Sequence, residues 1–108
     1  MNGLSKTPAY ALCGQPMVSN VNGNRNSRTV YWRGGYGCFD YKIERNDQSK
    51  DQNDKNWKVE ITGVNDFKGY WQDSGAINSN QQCTYYRITG ENYDKVYSNA
   101  SDVYSFCF

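Results

Sequence analysis

Three glutamates, Glu44, Glu60 and Glu91, are the residues best suited to chemistry in this chain. Paired with an aspartate, any of them could serve as acid and base in glycoside hydrolysis. Each alternates with apolar neighbours, however, and such glutamates belong to the solvated face of a strand. Asp47-x-Ser49-x-Asp51-x-Asn53 resembles a calcium loop, but Gln52 stands where the sharp turn needs glycine and Lys58 where a bidentate glutamate should close the site. Gly34-Gly35-x-Gly37 has no helix after it and no lysine in place to cradle phosphate. The chain has no histidine, which removes the Ser-His-Asp and Cys-His nucleophile systems. No catalytic residue, metal or cofactor is expected, and the chain reads as a non-enzyme.

The four cysteines, Cys13, Cys38, Cys83 and Cys107, are far apart and include no C-x-x-C pair for zinc. They read as two disulfides in a secreted domain. Three pairings are possible, and chain geometry favours Cys13 with Cys107 and Cys38 with Cys83. Loops of that length would contribute about 4 kcal/mol each at most.

These groups need a scaffold, and the composition describes it. The 108 residues suit one domain, with residues 1–9 a disordered or expression-derived start and residues 10–108 a single disulfide-stapled unit. Leu4 and Leu12 are the only leucines, whereas aromatic residues make up 16% of the chain, which favours sheets over helical bundles. A net charge of +1 provides no global field towards nucleic acid or membrane. No segment approaches the roughly twenty apolar residues of a membrane span. The first residues lack a signal-peptide pattern, so export is inferred from the cysteines, with a leader removed near Asn2.

Along the chain, residues 15–21 place Pro16 at a first helical position, with Met17, Val18 and Val21 at helical spacing, which predicts one short helix. Strands are predicted over residues 28–33, 36–45, 67–72, 83–89 and 103–108. Within 36–45, Phe39, Tyr41 and Ile43 face inward; in the following strand Trp57, Val59 and Ile61 do the same. The two form an antiparallel hairpin across the wholly polar loop 46–56. Tyr86 and Ile88 should point inward, and residues 91–99 fit either a strand or a helical turn. The expected fold is α+β, mostly antiparallel sheet with at most one short helix.

Binding is the better prospect for function, because three tryptophans and ten tyrosines exceed what a small core hides. Exposed rings beside cations suit sugars, bases or protein interfaces. The candidate surface is Trp57, Lys58, Tyr70, Trp71 and Arg87.

Tyr10-Ala11-Leu12-Cys13 at the start, Tyr104-Ser105-Phe106-Cys107 at the end, and the strands WKVEI and YYRI between them resemble the ribonuclease-like secreted effectors of cereal powdery mildew fungi. The resemblance implies a ribonuclease-like small secreted fold without its catalytic set. It implies an avirulence protein translocated into the plant cell, acting as a monomer on a host protein and recognised by an intracellular immune receptor. RNA would be a weaker partner, with Glu60 and Arg87 standing where a ribonuclease has its base and its phosphate-binding arginine, and no significant cleavage would follow. Specificity would lie in the loops 46–56 and 73–82, projecting from the sheet. Two further readings are a carbohydrate-binding module stacking sugars on Trp32, Trp57 or Trp71, and the globular head of a bacterial pilin-like protein with a loop closed from Cys83 to Cys107.

Overall fold

The computed structural model describes residues 12–65 and 68–108. The expected loose start over residues 1–9 and the first residue of the strand predicted from Phe67 lie outside them. Seven strands are present among the described residues: β1 (Met17–Gly23), β2 (Arg28–Arg33), β3 (Asp40–Asn46), β4 (Lys58–Asn65), β5 (Tyr70–Asp73), β6 (Cys83–Glu91) and β7 (Tyr104–Cys107). They form two antiparallel sheets, β1-β2-β5 and β4-β3-β6-β7. The two sheets pack face to face, so the chain is a β sandwich.

This corrects the α+β expectation: no helix occurs among the described residues. The segment read as a helix is β1, and the reason is a bulge. Val18 pairs with Trp32 and Asn20 with Tyr31, leaving Ser19 as an extra residue. One inserted residue reverses the strand's alternation, so Val18 and Val21, three apart, both turn inward. A spacing of three, which suggested helical periodicity, here comes from an interrupted period of two.

The core is filled by Val18, Val21, Val30 and Trp32 from one sheet and Tyr41, Ile43, Val64, Tyr86 and Ile88 from the other. The predicted hairpin is present as β3 and β4, and Tyr41, Ile43, Tyr86 and Ile88 face inward as expected. The strand begins later than predicted, at Asp40, and Phe39 is only partly covered. In β4 the predicted alternation fails. Register shifts on either side of Ile43 pair Ile61 with Ile43 but Val59 with Glu44, so Ile61 packs on the core while Val59 is exposed.

Disulfides join Cys13 to Cys38 and Cys83 to Cys107. The four cysteines are paired, but not as chain geometry suggested. Strand register decides the second bridge, because Cys83 and Cys107 lie directly opposite each other in β6 and β7. The first is set by the chain before β1, where the Gly14 N–H donates to the Tyr36 carbonyl at 2.8 Å beside Cys38. Sequence separations of 25 and 24 lower the ceiling to about 3.5 kcal/mol per bridge. Gly35 is required at this crossing, since a Cβ there would collide with the Gly14 carbonyl.

Candidate functional site

The densest polar chemistry lies inside the sandwich. Arg28 on β2 donates through Nε to the Tyr86 hydroxyl at 2.7 Å, and Tyr86 donates to Asp73 Oδ2 at 2.7 Å. Arg45 on β3 donates to the same oxygen at 2.8 Å, and Arg28 pairs with it at 3.3 Å. Arg28 also donates to the carbonyls of Asn24, Arg25 and Gly75. One carboxylate therefore ties strands of both sheets together. Burial alone raises the Asp73 carboxyl, but bonds from Tyr86, the Gly75 N–H and Arg45 outweigh it and hold it below its usual value. Burial and the neighbouring Asp73 push the Tyr86 hydroxyl well up. Burial raises Glu60 as well, against the pull of Arg45 4.0 Å away. The Arg28, Asp73 and Tyr86 side chains are closed to solvent. The neighbouring hollow, lined by Arg45, Asp47, Gln48, Asn56 and Lys58, holds about 110 Å³, less than a ligand pocket needs. The network is a structural tie between the sheets.

The predicted surface is divided between the two sheets, Trp57, Lys58 and Arg87 on the four-stranded one and its loop, Tyr70 and Trp71 on the three-stranded one. Arg87 on β6 faces Glu44 on β3, donating to its two oxygens at 3.0 and 3.2 Å, and also donates to the Gln52 carbonyl and side chain. Its guanidinium lies 4.2 Å from the centre of the Trp57 ring. The loop 46–57 thus folds back onto the outer face of the four-stranded sheet. Gln52 donates onward to the Ser101 carbonyl and Trp57 to the Asp51 carbonyl. Asp47 and Asp51, read as possible calcium ligands, are occupied locally: Asp47 by Arg45 and Thr84, Asp51 by the Asn53 N–H. Lys58 is exposed at the hollow's edge. The loop 73–82 is held as well, by buried Ile77 and by Arg25 donating to the Asn78 and Gln81 carbonyls. Tyr70 and Trp71 lie on the other sheet, where Trp71 packs inward opposite Val30 while Tyr70 is exposed. With Trp32 buried, Trp71 on the core and Trp57 stacked with Arg87, none of the three tryptophans offers an open platform.

The most exposed rings among the described residues are tyrosines at one end of the sandwich. The β2–β3 loop presents Tyr36, 95% exposed, and the β6–β7 loop presents Tyr93, 80% exposed. Phe39 and Tyr93 stack with centroids 4.2 Å apart and planes within 5°. Beside them Lys42 places its ammonium 4.7 Å from the centre of the half-exposed Tyr97 ring. The backbone fixes this shelf. The Phe39 N–H donates to the Glu91 carbonyl at 3.0 Å, Glu91 bridges to Tyr97, and the Cys13–Cys38 disulfide anchors the first loop. In the second loop Asn92 Oδ1 accepts from the N–H groups of Asp94 and Val96, around Lys95 at φ 67°. Sequence reasoning turned Phe39 inward and did not assign Tyr36, Tyr93 and Tyr97 to a binding surface. Their signal is aromatic residues set among turn formers, GGYG and NYDK.

No family model and no curated protein matches the chain. Solved structures do match. An Fn3-like protein from Clostridium thermocellum superposes with a TM-score of 0.64 at 15% identity, over 90% of this chain and 91% of its own. The third fibronectin III domain of the human KIAA0343 protein gives 0.59 at 19% identity, over 99% and 91%. The fold is fibronectin type III-like. A β-1,2-glucanase from Parabacteroides distasonis gives 0.65 at 17% identity over 90% of this chain, which spans only 13% of that enzyme. The Fn3-like architecture overturns the ribonuclease-like reading, and with it the resemblance to mildew effectors. Glu60 and Arg87 are then not a relic base and phosphate ligand: Glu60 neighbours Arg45, and Arg87 closes on Glu44.

Proposed function

We propose that this Fn3-like domain is a non-catalytic extracellular carbohydrate-binding module whose binding surface is the tyrosine shelf of Tyr36, Phe39, Tyr93 and Tyr97. The observation that carries the reading is the flat Phe39–Tyr93 stack, with Tyr93 80% exposed on a backbone held by hydrogen bonds and a disulfide. A pyranose ring has an apolar C–H face that lies flat on such a ring, while hydroxyls meet Lys42 and Asp94 around it. Two disulfides in a small domain are consistent with an extracellular setting. Support for non-catalysis comes from Asp47, Glu60 and Asp73, the carboxylates that approach one another, which are all engaged by arginine. The occurrence of a similar sandwich in a glucanase agrees with a polysaccharide context.

Isothermal titration against a panel of soluble polysaccharides tests this. Binding by the wild type and its loss in Tyr93→Ala, with Trp71→Ala failing through instability instead, is the expected outcome. No binding to any polysaccharide, or binding untouched by Tyr93→Ala, would refute the shelf as the site.

A further inference from the structure

The outer face of the three-stranded sheet has an unusual composition. β2 turns Thr29, Tyr31 and Arg33 outward and β5 turns Tyr70 and Gln72 outward, while Val30, Trp32 and Asp73 face the core. Tyr31 and Tyr70 are register partners, with ring centroids 6.4 Å apart, and are 38% and 45% exposed. The Trp32 N–H donates to the Gly69 carbonyl at 3.0 Å, carrying the pairing one step further. That step places Arg33 and Lys68 at the same end of the tyrosine pair, and the Lys68 ammonium lies 5.5 Å from the centre of the Tyr70 ring. Among the described residues, no carboxylate pairs with either cation, and none of the outward positions of β1, β2 and β5 is an aspartate or glutamate. The contrast with the opposite sheet is sharp, because its outward arginine, Arg87, is neutralised by Glu44.

We infer that this face is a second binding surface, specific for an anionic polysaccharide of the polyuronate type. Like charges brought together on one sheet face destabilise it unless a counter-charge arrives. Here the two cations flank an aromatic pair, which supplies the platform for a sugar ring, with the Gln72 amide and Thr29 hydroxyl beside it. A polyuronate carries one carboxylate per sugar, which matches two cations beside two rings. A heavily sulfated chain carries more charge than Arg33 and Lys68 can meet. Nucleic acid is a poorer match: two phosphate contacts give a salt slope of at most about −2, too shallow to hold a strand at physiological salt, and the domain's net charge is only +1. The inference rests on the carbohydrate reading only for ligand class, since it uses no residue of the Tyr93 shelf.

Affinity electrophoresis in gels containing polygalacturonate tests the inference, with neutral glucan, heparin and poly-uridylate gels in parallel. Retardation by polygalacturonate is expected for the wild type and for Tyr93→Ala. It should weaken on the order of tenfold in Tyr70→Ala and vanish in the Arg33→Glu/Lys68→Glu double variant. All the substituted side chains are exposed, and near-ultraviolet circular dichroism checks that each variant is folded. Retardation should fall with added salt, which neutral glucan would not show. No retardation, or retardation that survives the charge reversal, overturns the inference. Equal or stronger retardation by heparin or poly-uridylate on this face assigns it to sulfated chains or nucleic acid and overturns it as well. Loss in Tyr93→Ala alone would transfer polyuronate binding to the shelf, whereas a wild type that binds polygalacturonate but no neutral glucan would strike the shelf reading and leave this one standing.

Discussion

Asp73→Asn separates a structural network from a functional one. The Asp73 side chain is 2% exposed, and its carboxylate takes bonds from Tyr86 at 2.7 Å, Arg45 at 2.8 Å and the Gly75 N–H at 2.9 Å, with Arg28 at 3.3 Å. The amide keeps the shape and one acceptor oxygen but removes the charge that two arginines share. Leaving buried charge unbalanced costs about 3–5 kcal/mol. The retained acceptor and the three carbonyls that still receive Arg28 put the expected loss at the lower end, about 3 kcal/mol. For a domain of this size that lowers the melting temperature by about 12–24 °C, readable by circular dichroism. The pH profile gives a second reading. The folded carboxyl sits below its unfolded value, so its stabilisation is present above about pH 4 and is lost as pH falls through the folded value. Glu60 works in the opposite sense: its raised folded value makes the folded state take up its proton first and gain relative stability on acidification. Asp73→Asn should therefore flatten the acid limb while glycan binding at 20 °C stays unchanged. A loss under about 1 kcal/mol, or lost binding in a folded variant, would refute the structural assignment.

Peptide mapping of the oxidised protein should recover Cys13 linked to Cys38 and Cys83 linked to Cys107; a Cys13–Cys107 peptide would contradict the register argument. The Tyr86 hydroxyl is raised by burial and by Asp73, so the stabilisation is full below pH 10 and lost as pH rises beyond it. The difference in absorbance at 295 nm between the wild type and Tyr86→Phe should show Tyr86 ionising only with unfolding, and a Tyr86 signal in the folded state would count against it. Gly35→Ala must push the chain off the Gly14 carbonyl, and thermal melting should record a loss of about 2 kcal/mol or more.

What could be read from the sequence followed from pattern, and what could not required the third dimension. The β3–β4 hairpin was legible from the wholly polar loop between two apolar strands, and the inward Tyr41, Ile43, Tyr86 and Ile88 from the alternation along β3 and β6. The same logic failed at β1 and β4, where an inserted residue reverses the faces without leaving a mark in composition. The Asp73 network was invisible because Arg28, Arg45 and Tyr86 come from strands far apart in sequence, each looking like an ordinary polar or aromatic strand residue. Tryptophan was the natural choice for a platform, yet the largest rings went where they bury most area, and the exposed roles fell to tyrosines, whose hydroxyls stay in water.

Arg87 shows how a plausible ligand residue can be spent on the fold, and its removal is testable. Its partners are mostly covered, with side-chain exposures of 16% for Arg87 and 10% for Glu44, so the pair is screened little by solvent. Losing two charge-assisted bonds to Glu44, the bonds to Gln52 and the stack on Trp57 should cost about 1.5–3 kcal/mol. The consequence is also local: without Arg87 the Gln52 segment loses its tether to β6, and Trp57 loses its cover. Acrylamide should quench one additional tryptophan in Arg87→Ala, because Trp32 and Trp71 remain packed on the core. If Arg87 were instead a ligand contact, the substitution would weaken binding and leave stability and quenching alone. Unchanged quenching together with lost binding would therefore restore Arg87 to the candidate site and take the folded-back loop out of the argument.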